Sequence, residues 1–210
     1  MAKPFRRSNR PELDTAFRTM KRIGVFGGSF NPVHLGHLLV AQAALEELQL
    51  DRVFFTPASE SPFKPGITLA PPEQRLRLLR TALAGQPHFE VDAQELLRGG
   101  VSYSIETVRA YAERHRAAKL FYLIGADHAQ QLPAWRDAPN LAKLAEFVVI
   151  PRPGQPLAPP PPPFQCHALR GFPLGLSASQ IRDRIRSGQS IDWLVPPAVA
   201  ELIRNNRLYL

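Results

Sequence analysis

The stretch Gly27-Gly28-Ser29-Phe30-Asn31-Pro32-Val33-His34-Leu35-Gly36-His37 follows an apolar run, Ile23 to Phe26, and leads into an amphipathic segment, Leu38 to Leu50. The run reads as a buried strand and the segment as a helix, so the residues between them form a strand–turn–helix joint. Such a joint is a ready anion site, because free backbone N–H groups and the helix dipole both favour a phosphate there. Gly27 and Gly28 let the chain turn sharply and approach a ligand closely. Pro32 stiffens the loop, and Gly36 keeps a side chain out of the first helical turn. His34 and His37 are three residues apart, which puts both rings on one face at a helix entrance. Paired imidazoles over an anion site point to chemistry on a nucleotide phosphate. The glycine order is neither G-x-G-x-x-G nor G-x-x-x-x-G-K-[ST], so the stretch is not a dinucleotide fingerprint or a Walker loop.

Outward from this joint, strand-like and helical patterns alternate. Strands are expected at Arg22–Phe26, Arg52–Thr56, Leu120–Ile124 and Phe147–Ile150. Helices are expected at Leu38–Leu48, Pro72–Ala84, Ser104–Arg116, Asn140–Ala145, Ala178–Ser187 and Pro197–Arg204. This alternation predicts an α/β fold, a Rossmann-like parallel sheet with helices on both faces and a helical C-terminal part over residues 177–210. In such sheets ligands bind beyond the carboxyl ends of the strands. The Gly27–His37 turn and the Gly125-Ala126-Asp127 turn both fall at that edge.

The chain has 210 residues, 44% of them hydrophobic, enough for one domain with a real core. Its net charge is +8, which suits anionic ligands. Residues 1–20 carry +3 of that charge and are expected to be a disordered basic extension, leaving 21–210 as a single domain. Cys166 is the only cysteine, which excludes an intrachain disulfide and fits a reducing cytoplasm. No run is long enough for a bilayer span and no apolar leader opens the chain, so a cytoplasmic location is expected. Residues 151–163 are proline-rich and predict a stiff, extended, exposed loop.

Four further segments carry candidate chemistry. Pro57 to Lys64 follows the second strand, and Lys64 offers a mobile charge for a phosphate. Ser104 is placed to cap a helix, with Thr107 three residues later, and that helix start can hold a carboxylate. Asp127 follows a strand and can accept from ribose or adenine groups, while Trp135 can stack on a flat heterocycle or anchor the core. Ser177 or Ser179 caps another helix, and Arg182 one turn in can fork onto phosphate oxygens. A triphosphate held between two helix starts would have its α-phosphorus fixed for attack.

The Gly27–His37 stretch resembles the signature of the nucleotidyltransferase superfamily. With Ser102-Tyr103-Ser104, the Ile124–Trp135 segment, Arg152-Pro153-Gly154, the Leu176–Arg182 segment and the C-terminal Leu194–Tyr209 pattern, the chain from about Arg22 to Leu210 resembles bacterial nicotinate-nucleotide adenylyltransferases. Ala58 and Phe63 stand where that family often has an amide and a histidine; Ser104 and Ser179 stand where it often has threonine. The resemblance implies ATP and nicotinate mononucleotide as substrates, Mg²⁺ held mainly by the ATP phosphates with no protein metal ligands, and deamido-NAD and pyrophosphate as products. It implies His34 and His37 as the catalytic residues. It places Gly27, Gly28, Ser29, Phe30, Gly36, Gly125, Asp127, Ser179 and Arg182 on ATP, and Lys64, Ser104, Trp135 and Arg136 on the mononucleotide. Nicotinamide mononucleotide or phosphopantetheine are the rival acceptors. A basic nucleic-acid-binding module is the rival of another class, but the chain has no basic patch interleaved with aromatics, so neither a nucleic-acid nor a membrane partner is expected. Oligomeric state is left open.

Overall fold

The computed structural model describes residues 21–62, 69–154, 158–172 and 174–210. The basic extension and Lys64 lie outside the described residues. In chain order the elements are β1 (Arg22–Gly28), α1 (Leu35–Glu47), β2 (Arg52–Pro57), α2 (Pro72–Leu83), β3 (Phe89–Val91), α3 (Gln94–Arg98) and α4 (Ser104–Arg114). Then come β4 (Lys119–Gly125), α5 (Ala126–Ala129), a 3₁₀ turn at Leu132–Ala134, α6 (Ala138–Leu144), β5 (Glu146–Ile150), β6 (Cys166–Ala168), α7 (Ala178–Arg186) and α8 (Pro197–Asn205).

The strands form one six-stranded sheet in the order β3-β2-β1-β4-β5-β6, and every pairing is parallel. This is the doubly wound order, with its reversal point between β1 and β4, where the crevice beyond the strand ends opens. The register brings Phe26 opposite Leu123 and Gly28 opposite Pro57. The loops leaving β1, β2 and β4 therefore start at one level.

Period-two alternation explains how each strand feeds two cores. On β4, Phe121 and Leu123 point to the face covered by α1, α2, α7 and α8, where they meet Ala44, Leu79, Ile181 and Ile203. Leu120, Tyr122 and Ile124 point to the other face, covered by α4, α5 and α6, among Val108, Ala129 and Leu141. A strand buried on both sides has no polar alternate, so these segments read as continuous apolar runs.

Four features differ from the sequence expectations. Two edge strands, β3 and β6, are additional; each is three residues long, too short to show a period. The short helices α3 and α5 are additional as well. α1 begins at Leu35 rather than Leu38, so Gly36 and His37 lie inside its first turn. The described part of the proline-rich stretch is not wholly exposed: Pro160 is buried, and the Pro159 carbonyl accepts from Gln130 Nε2 at 2.6 Å.

Candidate active site

The floor of the crevice is the start of α1. His34 is its N-cap and His37 its third residue. The His34 backbone N–H donates to His37 Nδ1 at 3.2 Å, the reciprocal arm of a capping box made by imidazole instead of glutamate. A backbone N–H can only donate, so Nδ1 is the acceptor and the ring proton sits on Nε2. Nε2–H is then the donor this ring can present to a ligand. The two imidazole centroids are 3.7 Å apart, as the spacing predicts. His34 is buried, and burial pushes its pKa down to about 4, so the ring is neutral at pH 7. Gly36 makes this packing possible: a Cβ there would sit 3.0 Å from His34 Nδ1.

Phe30 fixes the turn above. Its ring is fully buried and lies 4.9 Å from that of His37. Its φ is +43°, unusual for a residue with a side chain. Phe30 thus serves as backbone and as a wall behind His37, not as a cavity-lining side chain. A Cβ at Gly28 would press on its ring at 3.2 Å.

The second helix start, α7, faces the first. Ser177, not Ser179, is the cap: its Oγ accepts from the Gln180 N–H at 3.2 Å, and Gln180 Oε1 accepts from the Ser177 N–H at 2.8 Å. Ser179 Oγ instead accepts from Arg182 Nη2 at 3.0 Å, while Arg182 Nη1 donates to the Asn31 carbonyl at 2.7 Å. One guanidinium therefore ties the α7 start to the turn before α1, across 151 residues of chain. Both starts line one cavity of about 710 Å³, a size that suits nucleotide-sized ligands.

The opposite wall corrects two sequence expectations. Ser104 is not an N-cap; Tyr103 holds that position and Ser104 is the first helical residue. Its hydroxyl pairs with Tyr122 Oη at 2.9 Å, because a buried phenol needs a partner. Thr107 Oγ1 donates to Glu95 Oε1 at 2.6 Å instead of capping. Glu95 also takes a side-chain hydrogen bond from Ser102, and burial lifts its pKa above the usual carboxylate range. Ser102 Oγ in turn accepts from the Ser59 N–H at 2.9 Å. Glu95 thus links the α4 start to the loop after β2. Nothing in the sequence around Glu95 signals this, since a lone glutamate on a short helix looks like a solvated one. Tyr122 also explains Gly27: a Cβ at that glycine would meet the phenol oxygen at 2.6 Å.

The remaining expected residues divide. Gly27, Gly28, Ser29, Gly125 and Trp135 line the cavity. Trp135 does so while its ring packs edge-on against Tyr122 and Phe147, at 6.3 and 6.5 Å, so the side chain joins the core to the cavity wall. Asp127 folds back over Gly125, where any Cβ would collide with its carboxylate, and pairs with Arg152 Nη1 at 3.5 Å. Arg136 lies outside the cavity lining; its guanidinium sits 4.3 Å over the Tyr103 ring and bonds Glu106 at 3.2 Å.

The cytidylyltransferase-like family model matches residues 25–184. A protein of Opitutus terrae named probable nicotinate-nucleotide adenylyltransferase is 39% identical over 190 residues, covering 90% of this chain and 97% of its own. One of Thermus thermophilus with the same name is 40% identical over 188 residues, covering 90% and 99%. Among solved structures, a nicotinic acid mononucleotide adenylyltransferase of Plasmodium falciparum complexed with NaAD superposes with a TM-score of 0.74 over 90% of this chain and 97% of that one. Its sequence identity is 15%, so that likeness speaks for the fold. The chain belongs to the cytidylyltransferase-like family and, within it, to the nicotinate-nucleotide adenylyltransferases.

Proposed function

We propose that the protein transfers AMP from ATP to nicotinate mononucleotide, giving deamido-NAD and pyrophosphate. The observation that carries this reading is the bridge from Arg182 to Asn31, which holds two helix starts on one cavity above two imidazoles whose centroids are 3.7 Å apart. The acceptor's phosphate oxygen attacks the α-phosphorus in line. A new phosphorus–oxygen bond forms, the bond to the bridging oxygen breaks, and pyrophosphate leaves. The attacking group is already anionic, so no protein nucleophile is needed. The protein acts by positioning and by stabilising charge.

In this reading His37 Nε2–H donates to the oxygens around the scissile bond and His34 supports it as a neutral ring. Backbone N–H groups from Gly27 to Phe30 face the triphosphate. Ser179 and Arg182 hold its outer phosphates, and Gly125 and Asp127 face the adenosine. On the acceptor, Lys64 meets the phosphate, Trp135 stacks on the pyridine ring, and backbone at Ser104 and Arg136 receives the carboxylate. Asp127 is already paired with Arg152, so the donors on this edge suit phosphate oxygens better than a bare metal. Mg²⁺ carried by the phosphates and water would neutralise charge on the leaving pyrophosphate.

Pyrophosphate release from ATP, measured with nicotinate mononucleotide, nicotinamide mononucleotide and phosphopantetheine, tests the reading. The expected result is fastest release with the nicotinate acceptor. Release with none of the three, or a preference for either rival, contradicts it.

A further inference from the structure

Arg75 is among the largest fully buried side chains of the described residues, 1% exposed, on the amphipathic helix α2. Its Nη1 donates to the Ser29 carbonyl at 2.9 Å and the Ala58 carbonyl at 2.7 Å, and its Nε donates to the Ala70 carbonyl at 3.1 Å. All three acceptors are neutral. Burial weakens the guanidinium's hold on its proton, and among the described residues the titratable group acting on it is Tyr209, a phenol that burial keeps protonated. Among the described residues no carboxylate pairs with it. A buried charge without a counter-ion is expensive, and an apolar side chain of similar length would fill the same space at lower cost.

The positions of its partners suggest what offsets that cost. Ser29 belongs to the turn after β1 and Ala58 to the loop after β2, and both line the cavity. Arg75 itself is not on the cavity wall. Two residues past Ser29, the Asn31 carbonyl is taken by Arg182. The carbonyls on either side of Phe30, whose φ is +43°, are therefore each held by a guanidinium, one from α2 and one from α7. Oxygen lone pairs held this way do not face an incoming phosphate, and the positive charge lies directly behind them.

We propose that Arg75 is a positioning residue for the reaction: from behind the cavity wall it holds the Ser29 and Ala58 carbonyls away from the phosphates and supplies a fixed positive charge beneath them. This rests on the reading that the cavity takes ATP. The test uses the full chain as wild type, Arg75→Met and Arg75→Lys. It measures affinity for inorganic tripolyphosphate and for adenosine by calorimetry, alongside turnover and thermal midpoint. Arg75→Met is expected to lose about tenfold in tripolyphosphate affinity with adenosine affinity unchanged. Arg75→Lys keeps the charge, so its tripolyphosphate affinity stays within about threefold of wild type. Its turnover falls about tenfold, because one ammonium cannot hold three carbonyls in the fork geometry. If Arg75→Met does not fold, this split in Arg75→Lys between retained affinity and lost turnover decides alone. A wild-type chain that binds no tripolyphosphate overturns the ATP reading and this assignment together. The Arg75 assignment alone falls if wild type binds tripolyphosphate and the variants match it in affinity and turnover, or lose adenosine and tripolyphosphate in equal proportion.

Discussion

Helices α1 and α7 open onto the same cavity but are capped in different ways. At α7, Ser177 and Gln180 satisfy each other by a local rule, and the side chain that reaches across the cavity, Arg182, is a separate residue. At α1, the cap is made by the two histidines that face the cavity. In the proposed reaction, stability and chemistry would thus be carried by different residues at one helix start and by the same residues at the other. Substitutions at the α7 cap should cost folding energy alone, whereas substitutions at the α1 cap should change turnover and the pH dependence of folding.

The largest expected effect is at His37. His37→Ala removes the Nε2–H donor, and loss of one such donor costs roughly 3–4 kcal/mol in the transition state, about 10²–10³ in kcat. Steady-state kinetics beside a melting curve checks this; near-normal turnover would separate the α1 cap from the chemistry. His34 comes next. Below pH 6.5 the unfolded chain takes up a proton that the buried ring refuses until about pH 4. The unfolded state then binds more protons, so stability falls as pH drops through that window and is independent of this group above it. The full shift corresponds to about 3 kcal/mol. Urea unfolding at pH 7.5 and pH 4.5 should show this component in the wild type and not in His34→Gln; equal pH slopes would contradict a neutral buried ring.

On the α7 side, Arg182→Ala is expected to cost about 10- to 100-fold in kcat/KM for ATP, in line with about 1.5–3 kcal/mol for a hydrogen bond to a charged group. An unchanged KM and kcat would mean that the bridge to Asn31 has no part in holding the triphosphate. The smallest effect is at Ser177. Ser177→Ala should cost about 1 kcal/mol of stability through the lost cap, read as a lower midpoint in denaturant, with turnover retained. A large drop in turnover would show that α7 does not separate the two roles after all.

The same contrast explains what can be read from the sequence. The β1–α1 joint is legible because its glycines, proline and histidines fall in one short stretch, and Gly28, Gly36, His34 and His37 act on near neighbours within it. The parallel sheet is legible because its central strands are unbroken apolar runs. The sequence pattern puts the start of α1 three residues late, since histidine is not an expected capping residue. At the acceptor wall, Ser104 and Thr107 look like caps by local rules, but their hydroxyls are taken by Tyr122 and Glu95, 18 and 12 residues away. Gly27 reads as a turn glycine, yet what it makes room for is the oxygen of Tyr122. Arg75 carries no local sign of its partners at Ser29 and Ala58, because a charged residue on an amphipathic helix reads as solvated until the fold brings the β1–α1 turn and the β2–α2 loop around it.

The proposed reaction requires the triphosphate to lie between the α1 and α7 starts. A crystal structure with an unreactive ATP analogue tests it most directly. The α-phosphate is expected within hydrogen-bond reach of His37 Nε2 and the outer phosphates against Ser179 and Arg182. A triphosphate bound away from both helix starts, with the imidazoles untouched, would contradict it.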